Sequence, residues 1–458
     1  MRGRSTGALA ICVSFLLAGC MVGPDYKRPE TTLPAAFLEP SSGTALEVPA
    51  DWWKAYNDPL LNQLVEDGLA NNTDVHIATA RVEEAEALVR EAQAVLLPGI
   101  SGQGSAFRGR TSDTSFVTAS GFSVGLSTSF EVDLWGRLRR GERSVRDELL
   151  ASRYGRDTVA ITLAASIARA YFAVRSLDAQ YLASQDTLTA ADQSLSLAKK
   201  RSDAGVVAEI DVYQAGGLRT AAAAQATEVQ RLREATVHQL AVLTGRLDLV
   251  LPSGNLDALP IPPLAPAGLP SQLLERRPDV REAEASLQAA TERIGVARAG
   301  QFPTLSLTGG IGTASSELDG LFRTGARTWS IGGNLIGPLI DWGASKARTD
   351  QAAAQAKQVE GAYVRTVQNA FRDVSDALSN IRRAAESEVE LKDHLDQASK
   401  ALHLAELRYE HGYSAYLEVL DAQRTYNDAQ LLLIRNRQNY LSYTVDLMNA
   451  LGGGWTPT

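Results

Sequence analysis

Apolar positions over much of this chain step by threes and fours. Val374, Leu378, Ile381 and Ala385, then Leu395, Ala398, Leu402, Ala405 and Tyr409, form one continuous stripe, the seam of a coiled-coil-like helix. No proline interrupts Leu138 to Asp203 or Ser345 to Glu410, and alanine and other good helix formers dominate both stretches. Each predicts a helix of about 66 residues, a rod roughly 100 Å long that no compact globule accommodates. Gly205 and Gly412 end the rods, and Lys199, Lys200 and Arg201 crowd the first terminus, where cations suit the helix dipole. Returning helices to Leu243 and Leu451 would run about 37 residues, roughly 55 Å, little more than half of each rod. Thr73 to Leu96 and Leu273 to Ala299 have the missing length. The simplest packing sets one long helix against two short ones end to end, twice per chain.

Directly after those two short helices the period changes from near four to two. Phe122, Val124, Leu126, Thr128 and Phe130 alternate with Ser123, Gly125, Ser127, Ser129 and Glu131. Leu305, Leu307 and Ile311 alternate with Ser306, Thr308 and Gly310. Strands between lipid and a wet lumen read this way, as do half-buried soluble strands. Two strand pairs are expected, between Pro98 and Trp135 and between Pro303 and Trp342, with hairpin tips at Gly109 to Ser115 and Ser315 to Thr328. The first strand, Ile100 to Arg108, is poorly patterned. Four strands cannot close a membrane barrel, since known barrels begin at about eight. Two copies of the chain would supply eight strands and three would supply twelve.

The chain repeats itself. Trp135-Gly136 recurs as Trp342-Gly343, Gly205 as Gly412 and Gly245 as Gly452, each at an offset of 207 residues. Leu195, Ala198, Arg201, Ala208, Val212, Ala215 and Leu240 recur at that offset as Leu402, Ala405, Arg408, Ala415, Val419, Ala422 and Leu447. Chance identities would not hold one offset so long. The duplicated unit is far longer than a solenoid repeat. The expected division is 20–72 as an N-terminal segment, 73–245 and 273–452 as the two repeats, 246–272 as a proline-rich linker, and 453–458 as a tail.

Composition and the chain's beginning add a compartment. Arg2 and Arg4 precede the short apolar run Ala8 to Leu17, which ends in Leu17-Ala18-Gly19-Cys20. Residues 1–19 read as an export signal, too short to span a bilayer and removed on maturation. The small residues before Cys20 resemble a bacterial lipobox, which would make Cys20 the lipid-modified first residue; an ordinary signal with an incidental cysteine is the alternative. Met21, rather than an aspartate, favours outer-membrane sorting by the same resemblance. Cys12 leaves with the signal, so a single mature chain can build neither a disulfide nor a cysteine-based metal site. No run of about twenty apolar residues follows residue 20, so a spanning segment would have to be a closed barrel. The net charge of −8 argues against a nucleic-acid partner.

Several stretches then resemble one family: Val22-Gly-Pro-Asp-Tyr-Lys-Arg-Pro29, Asp51-Trp52-Trp53 with Asn57-Asp-Pro-Leu60, Glu275-Arg-Arg-Pro-Asp-Val280, and Ile294-Gly-Val-Ala-Arg298 with Phe302-Pro303. The strongest are Leu407-Arg-Tyr-Glu-His-Gly412, Tyr416-Leu-Glu-Val-Leu-Asp-Ala-Gln-Arg424 and Ala450-Leu-Gly-Gly-Gly-Trp455. Together, over nearly the whole mature chain, they resemble the OprM branch of the TolC-like outer-membrane efflux family. The resemblance implies a mainly α protein with a membrane β-barrel: a homotrimer whose twelve-stranded barrel continues as a twelve-helix α-barrel, belted by an equatorial domain that includes Leu251 to Pro270, with Trp52 and Trp53 as packing anchors. It implies a passive exit duct opened at its periplasmic tip by a periplasmic adaptor (membrane fusion protein) and an inner-membrane RND pump.

The same resemblance places a periplasmic gate at Leu417 and Asp421, four residues apart and so on one helix face, where an apolar ring followed by like charges would block and charge a pore. Glu418 and Asp211 are further gate candidates, although a favourable helix-dipole contact explains them equally well, and Asp421 could instead pair with Arg424 or a neighbouring helix. Gly205-Val206 and Gly412-Tyr413, with Arg201 and Arg408 one turn earlier, are implied to meet the adaptor, while glycine also simply ends helices. No nucleotide loop, zinc motif or nucleophile turn is found, and His76, His238, His394, His403 and His411 are scattered. No enzyme activity, metal or cofactor is expected beyond a lipid on Cys20. A protein-secretion or heavy-metal efflux channel remains the alternative within the class; outside it stand a periplasmic adaptor lipoprotein and a coiled-coil spacer, neither of which predicts duplicated rods preceded by amphipathic strands.

Overall fold

The computed structural model describes residues 21–30, 34, 36–37, 48–110, 118–263, 271 and 273–455. The export signal with Cys20, the first hairpin tip from 111 onward, the linker from 264 to 270 and the last three residues lie outside the described residues. In chain order a 3-10 turn at Trp52–Tyr56 is followed by α1 (Pro59–Asn71), α2 (Thr73–Ala94), β1 (Gly99–Arg110), β2 (Thr118–Val132), α3 (Arg137–Asp203) and α4 (Glu209–Thr244). Then come α5 (Leu273–Arg276), α6 (Pro278–Ala299), β3 (Thr304–Ser315), β4 (Arg327–Ile336), α7 (Ala344–Glu410) and α8 (Tyr416–Ala450). Both long helices have 67 residues, and the returning ones 36 and 35.

One expected helix is divided. Leu273 to Ala299 breaks at Arg277, because Pro278 disfavours a helical residue before it and itself sits well at a helix start. The chain separates into two compact units, and each takes segments from both sequence repeats.

The first unit comprises 1–31, 80–154 and 281–365. It holds one antiparallel sheet in the order β1-β2-β3-β4. Gly99 pairs with Ser129, Phe122 with Ser315, and Thr304 with Ile336. That register puts Ile100, Leu126, Ile311 and Trp329 on one face. Ser101 and Ser127 share the other with Ser105 and Ser123, hydroxyl to hydroxyl at 2.9 and 2.8 Å. Even the poorly patterned β1 is therefore held in place by its partner.

Residues 21–30 lie as a strap over α3, which follows β2, and α6, which precedes β3. The Val22 amide donates to the Trp135 carbonyl at 3.1 Å. Arg140, almost fully buried, donates to Glu292 at 2.8 Å and to the Pro24 carbonyl at 3.1 Å. Tyr26 and Arg28 both donate to Glu284, at 3.1 and 2.7 Å. Gly295 makes room for this: a Cβ there would stand 2.1 Å from Arg140 Cδ and 3.0 Å from the Val22 carbonyl oxygen.

The second unit comprises 32–79, 155–280 and 366–458. Its core gathers Trp52, Trp53, Tyr56, Leu61 and Leu64 against Ile167, Tyr171, Phe172, Leu240, Leu256, Leu441 and Val445. α3 contains an 18-residue window that by length and composition would suit a membrane crossing, and half of that window is buried. Leu163 to Val174 lie in this core, so its apolar character is that of a packed core helix. Asn57 takes a left-handed conformation, Asp58 caps α1 by accepting from Leu60 and Leu61, and Pro59 begins the helix, the local physics behind the Asn-Asp-Pro-Leu run.

Two junctions in this unit explain how short helices continue one another. At the end of α4, Gly245 turns left-handed and the Asn72 amide donates to the Leu243 carbonyl at 3.0 Å. The Asn72 Oδ1 also accepts from the Asp74 amide at 2.7 Å, so one side chain serves the end of α4 and the start of α2. At the end of α8, Arg277 donates to the Ala450 carbonyl at 3.1 Å and to Asp279 at 3.0 Å. The repeat solves the same joint with a different side chain.

Candidate functional site

Both candidate tip turns lie in the second unit and are built alike. Gly205 and Gly412 have φ of 72° and 79°, a region that glycine enters without steric cost. The Val206 amide donates to the Arg201 carbonyl and the Gly205 amide to Ser202, both at 2.8 Å. Tyr413 donates to Arg408 at 2.8 Å and Gly412 to Tyr409 at 3.0 Å. This paired arrangement satisfies the last carbonyls of α3 and α7. Val206 and Tyr413 project outward, both exposed.

The two turns are tied together. Arg201 donates through Nη1 to the Tyr409 carbonyl at 2.8 Å, and its guanidinium lies 4.8 Å from the centre of the Tyr409 ring. A cation is thus brought from the end of α3 to the C-terminal end of α7, where the helix dipole favours it. Beneath it, Tyr409 and Tyr416 pack 5.2 Å apart among Ala198, Ala215, Ala405 and Val419. Burial pushes the Tyr409 phenol above its usual range and the nearby Asp211 carboxylate adds to the rise. The small alanines let four helix ends approach. The sequence places Tyr409 in the helical seam and Tyr416 in a family-like stretch without revealing the bridge; the signal is Arg201 recurring as Arg408 beside an aromatic.

Arg408, the repeat partner of Arg201, behaves differently. It pairs with Glu418 at 3.4 Å, both side chains being about half exposed, and such pairs contribute little. Glu418 therefore has a local electrostatic partner besides its place in the first turn of α8.

Leu417 and Asp421 share the face of α8 opposite its packed one. Tyr416, Val419 and Gln423 are buried, while Leu417, 64% exposed, and Asp421 point away from the chain's own core. Asp421 makes no ion pair with Arg424 or another described residue; Thr425 bonds only its backbone carbonyl, at 2.9 Å. Leu417 and Asp421 thus set an exposed apolar side chain and a carboxylate without an ion-pair partner among the described residues one turn apart.

A family model described as "Outer membrane efflux protein" matches residues 64–246 and 269–453. The toluene efflux pump outer membrane protein TtgC of Pseudomonas putida is 34% identical over 469 residues, covering 99% of this chain and 96% of that protein. The cation efflux system protein CusC of Escherichia coli is 33% identical over 456 residues, covering 98% of each. Among solved structures, the outer-membrane channel OprN superposes with a TM-score of 0.88 at 30% identity, over 96% of this chain and 100% of that one.

Proposed function

The chain belongs to the outer membrane efflux protein family and is an outer-membrane channel of an efflux system; on that premise we propose that three copies assemble into one passive duct. The observation that carries this reading is the four-stranded sheet whose two outer strands, β1 and β4, each leave one edge without a partner among the described residues. In lipid every unsatisfied backbone group costs several kcal/mol, so an open sheet must close. Three copies supply twelve strands, within the range of membrane barrels. The duct catalyses no bond chemistry; an inner-membrane pump supplies the energy and a periplasmic adaptor docks at the turns bearing Val206 and Tyr413. A lipid on Cys20 fits this placement. Met21 packs on Gly136, where a Cβ would stand 2.7 Å from Met21 Cγ, just past the end of β2 and so beside the rim of the barrel.

In the assembled duct Leu417 and Asp421 of three copies face one another and form the periplasmic gate. The cargo is a small molecule. Near-equal identity to relatives named for toluene and for cations suits a duct whose wall does little selecting. Fractionation tests the assembly: a heat-labile trimer in the outer-membrane fraction is expected, and release with the periplasmic fluid would overturn it. For the gate, Asp421→Ala is expected to increase uptake of a large antibiotic. Uptake unchanged from wild type, at equal protein level, removes Asp421 from the gate.

A further inference from the structure

The internal repeat states how one copy's β4 meets the next copy's β1. Within the chain, Gly99–Ser129 and Thr304–Ile336 are corresponding pairs. They show that β1 maps onto β3 by adding 205 and β2 onto β4 by adding 207. The remaining interface, β2 with β3, is resolved from Phe122–Ser315 to Val132–Leu305. Its image under the repeat is β4 with a second copy's β1, in which Trp329 stands opposite Arg110, Asn334 opposite Ser105, Ile336 opposite Gln103 and Leu339 opposite Ile100. We infer that this is the register of the contact between copies in the closed barrel, an inference that rests on the oligomeric reading above.

Three independent features of the chain agree with it. The faces match: Leu335 and Ile331 fall on the apolar side with Gly104 and Arg108, and Asn334 falls on the hydroxyl-bearing side with Ser105. A one-residue slip would reverse every side chain. Sizes match as well. Phe107 overlies Gly121 so closely that a Cβ there would stand 2.3 Å from its ring, and the inferred register places a second glycine, Gly332, on its other side. The third feature is an asymmetry between repeat-related tryptophans. Trp135 donates to the Pro303 carbonyl at 2.8 Å and stacks on Phe302 at 4.6 Å, whereas Trp342 is 95% exposed in the single chain. The same mapping carries Phe302-Pro303 to Leu97-Pro98, itself exposed at Leu97. Trp342 thus docks on Leu97 of the neighbouring copy and donates to its Pro98 carbonyl.

Cysteine cross-linking reads the register directly. Directly opposed residues have Cα atoms about 4.5–5.5 Å apart, inside the range a disulfide spans, while diagonal neighbours lie about 7–8 Å apart. In the full-length protein in outer membranes, Asn334→Cys with Ser105→Cys is expected to convert most of the chain, on oxidation, to a boiling-resistant trimer that reductant dissolves. Ser330→Cys with Gly109→Cys is expected to do the same, so the inference does not hang on one variant folding. Neither should occur in the four single variants. Asn334→Cys with Gln103→Cys, or with Phe107→Cys, represents a two-residue slip and should link several-fold less. Preferential linking of a slipped pair in an intact heat-labile trimer overturns the register and leaves the trimer standing. Absence of the trimer in the unsubstituted protein overturns the oligomeric reading instead.

Discussion

Arg201 spans the interval between the two tip turns with one guanidinium, bonding the Tyr409 carbonyl and covering its ring. A charge-assisted hydrogen bond contributes roughly 1.5–3 kcal/mol and a cation–π contact of this kind about 0.5–1 kcal/mol. Arg201→Ala is therefore expected to speed hydrogen exchange at the Gly412 and Tyr413 amides by more than about tenfold, whereas Arg408→Ala, which breaks only a half-exposed pair, should leave them nearly unchanged. At Gly295 the determinant is space. Gly295→Ala must displace Arg140 or the Val22 carbonyl, and limited proteolysis should then cut within residues 21–30, where the native protein resists. Asp147 supplies a pH signature: burial, with Glu292 adding to it, pushes its carboxyl up to about 6 from 3.8. A raised carboxylate pKa stabilises the fold fully below pH 3.8, and that contribution is lost as pH rises through 6. Asp147→Asn should accordingly raise the unfolding temperature at pH 8 and match the native protein near pH 3.5.

At the scale of elements, periodicity carried the reading far. The long helices, the position of all four strands and the glycines that end each rod were legible because each depends on local pattern: period near four, period two, and a left-handed φ. The hairpin partners within each repeat were legible as well, but the β2–β3 contact was not, since it joins residues from opposite repeats. The break at Arg277 was foreshadowed by Pro278 and passed over, because the stretch was read for its length alone. The joints at Asn72 and Arg277 were invisible for a different reason: each is a contact between residues about 170 positions apart. That Leu417 and Asp421 share one face of α8 was legible as spacing, but the absence of an ion-pair partner for Asp421 among the described residues needed the fold. Gly452 tests the second joint. It has φ of 96°, and a Cβ would lie 2.2 Å from the Arg276 carbonyl oxygen. Gly452→Ala should lower the thermal transition by several degrees, while Gly361→Ala, in open space within α7, should leave it level or slightly raised.

For the whole molecule, the consequences converge on a duct. Long helices with small-residue faces, a sheet with two open edges, and an apolar residue and an unpaired carboxylate at one helical tip are each incomplete in a single chain. On the proposed assembly, copies arranged around a lumen complete them together. Reconstitution of the purified full-length protein in planar lipid bilayers tests this claim most directly. The account predicts discrete, ohmic conductance steps for the native protein and larger steps for Asp421→Ala. Bilayers that stay silent with both proteins, despite demonstrated insertion, would contradict it.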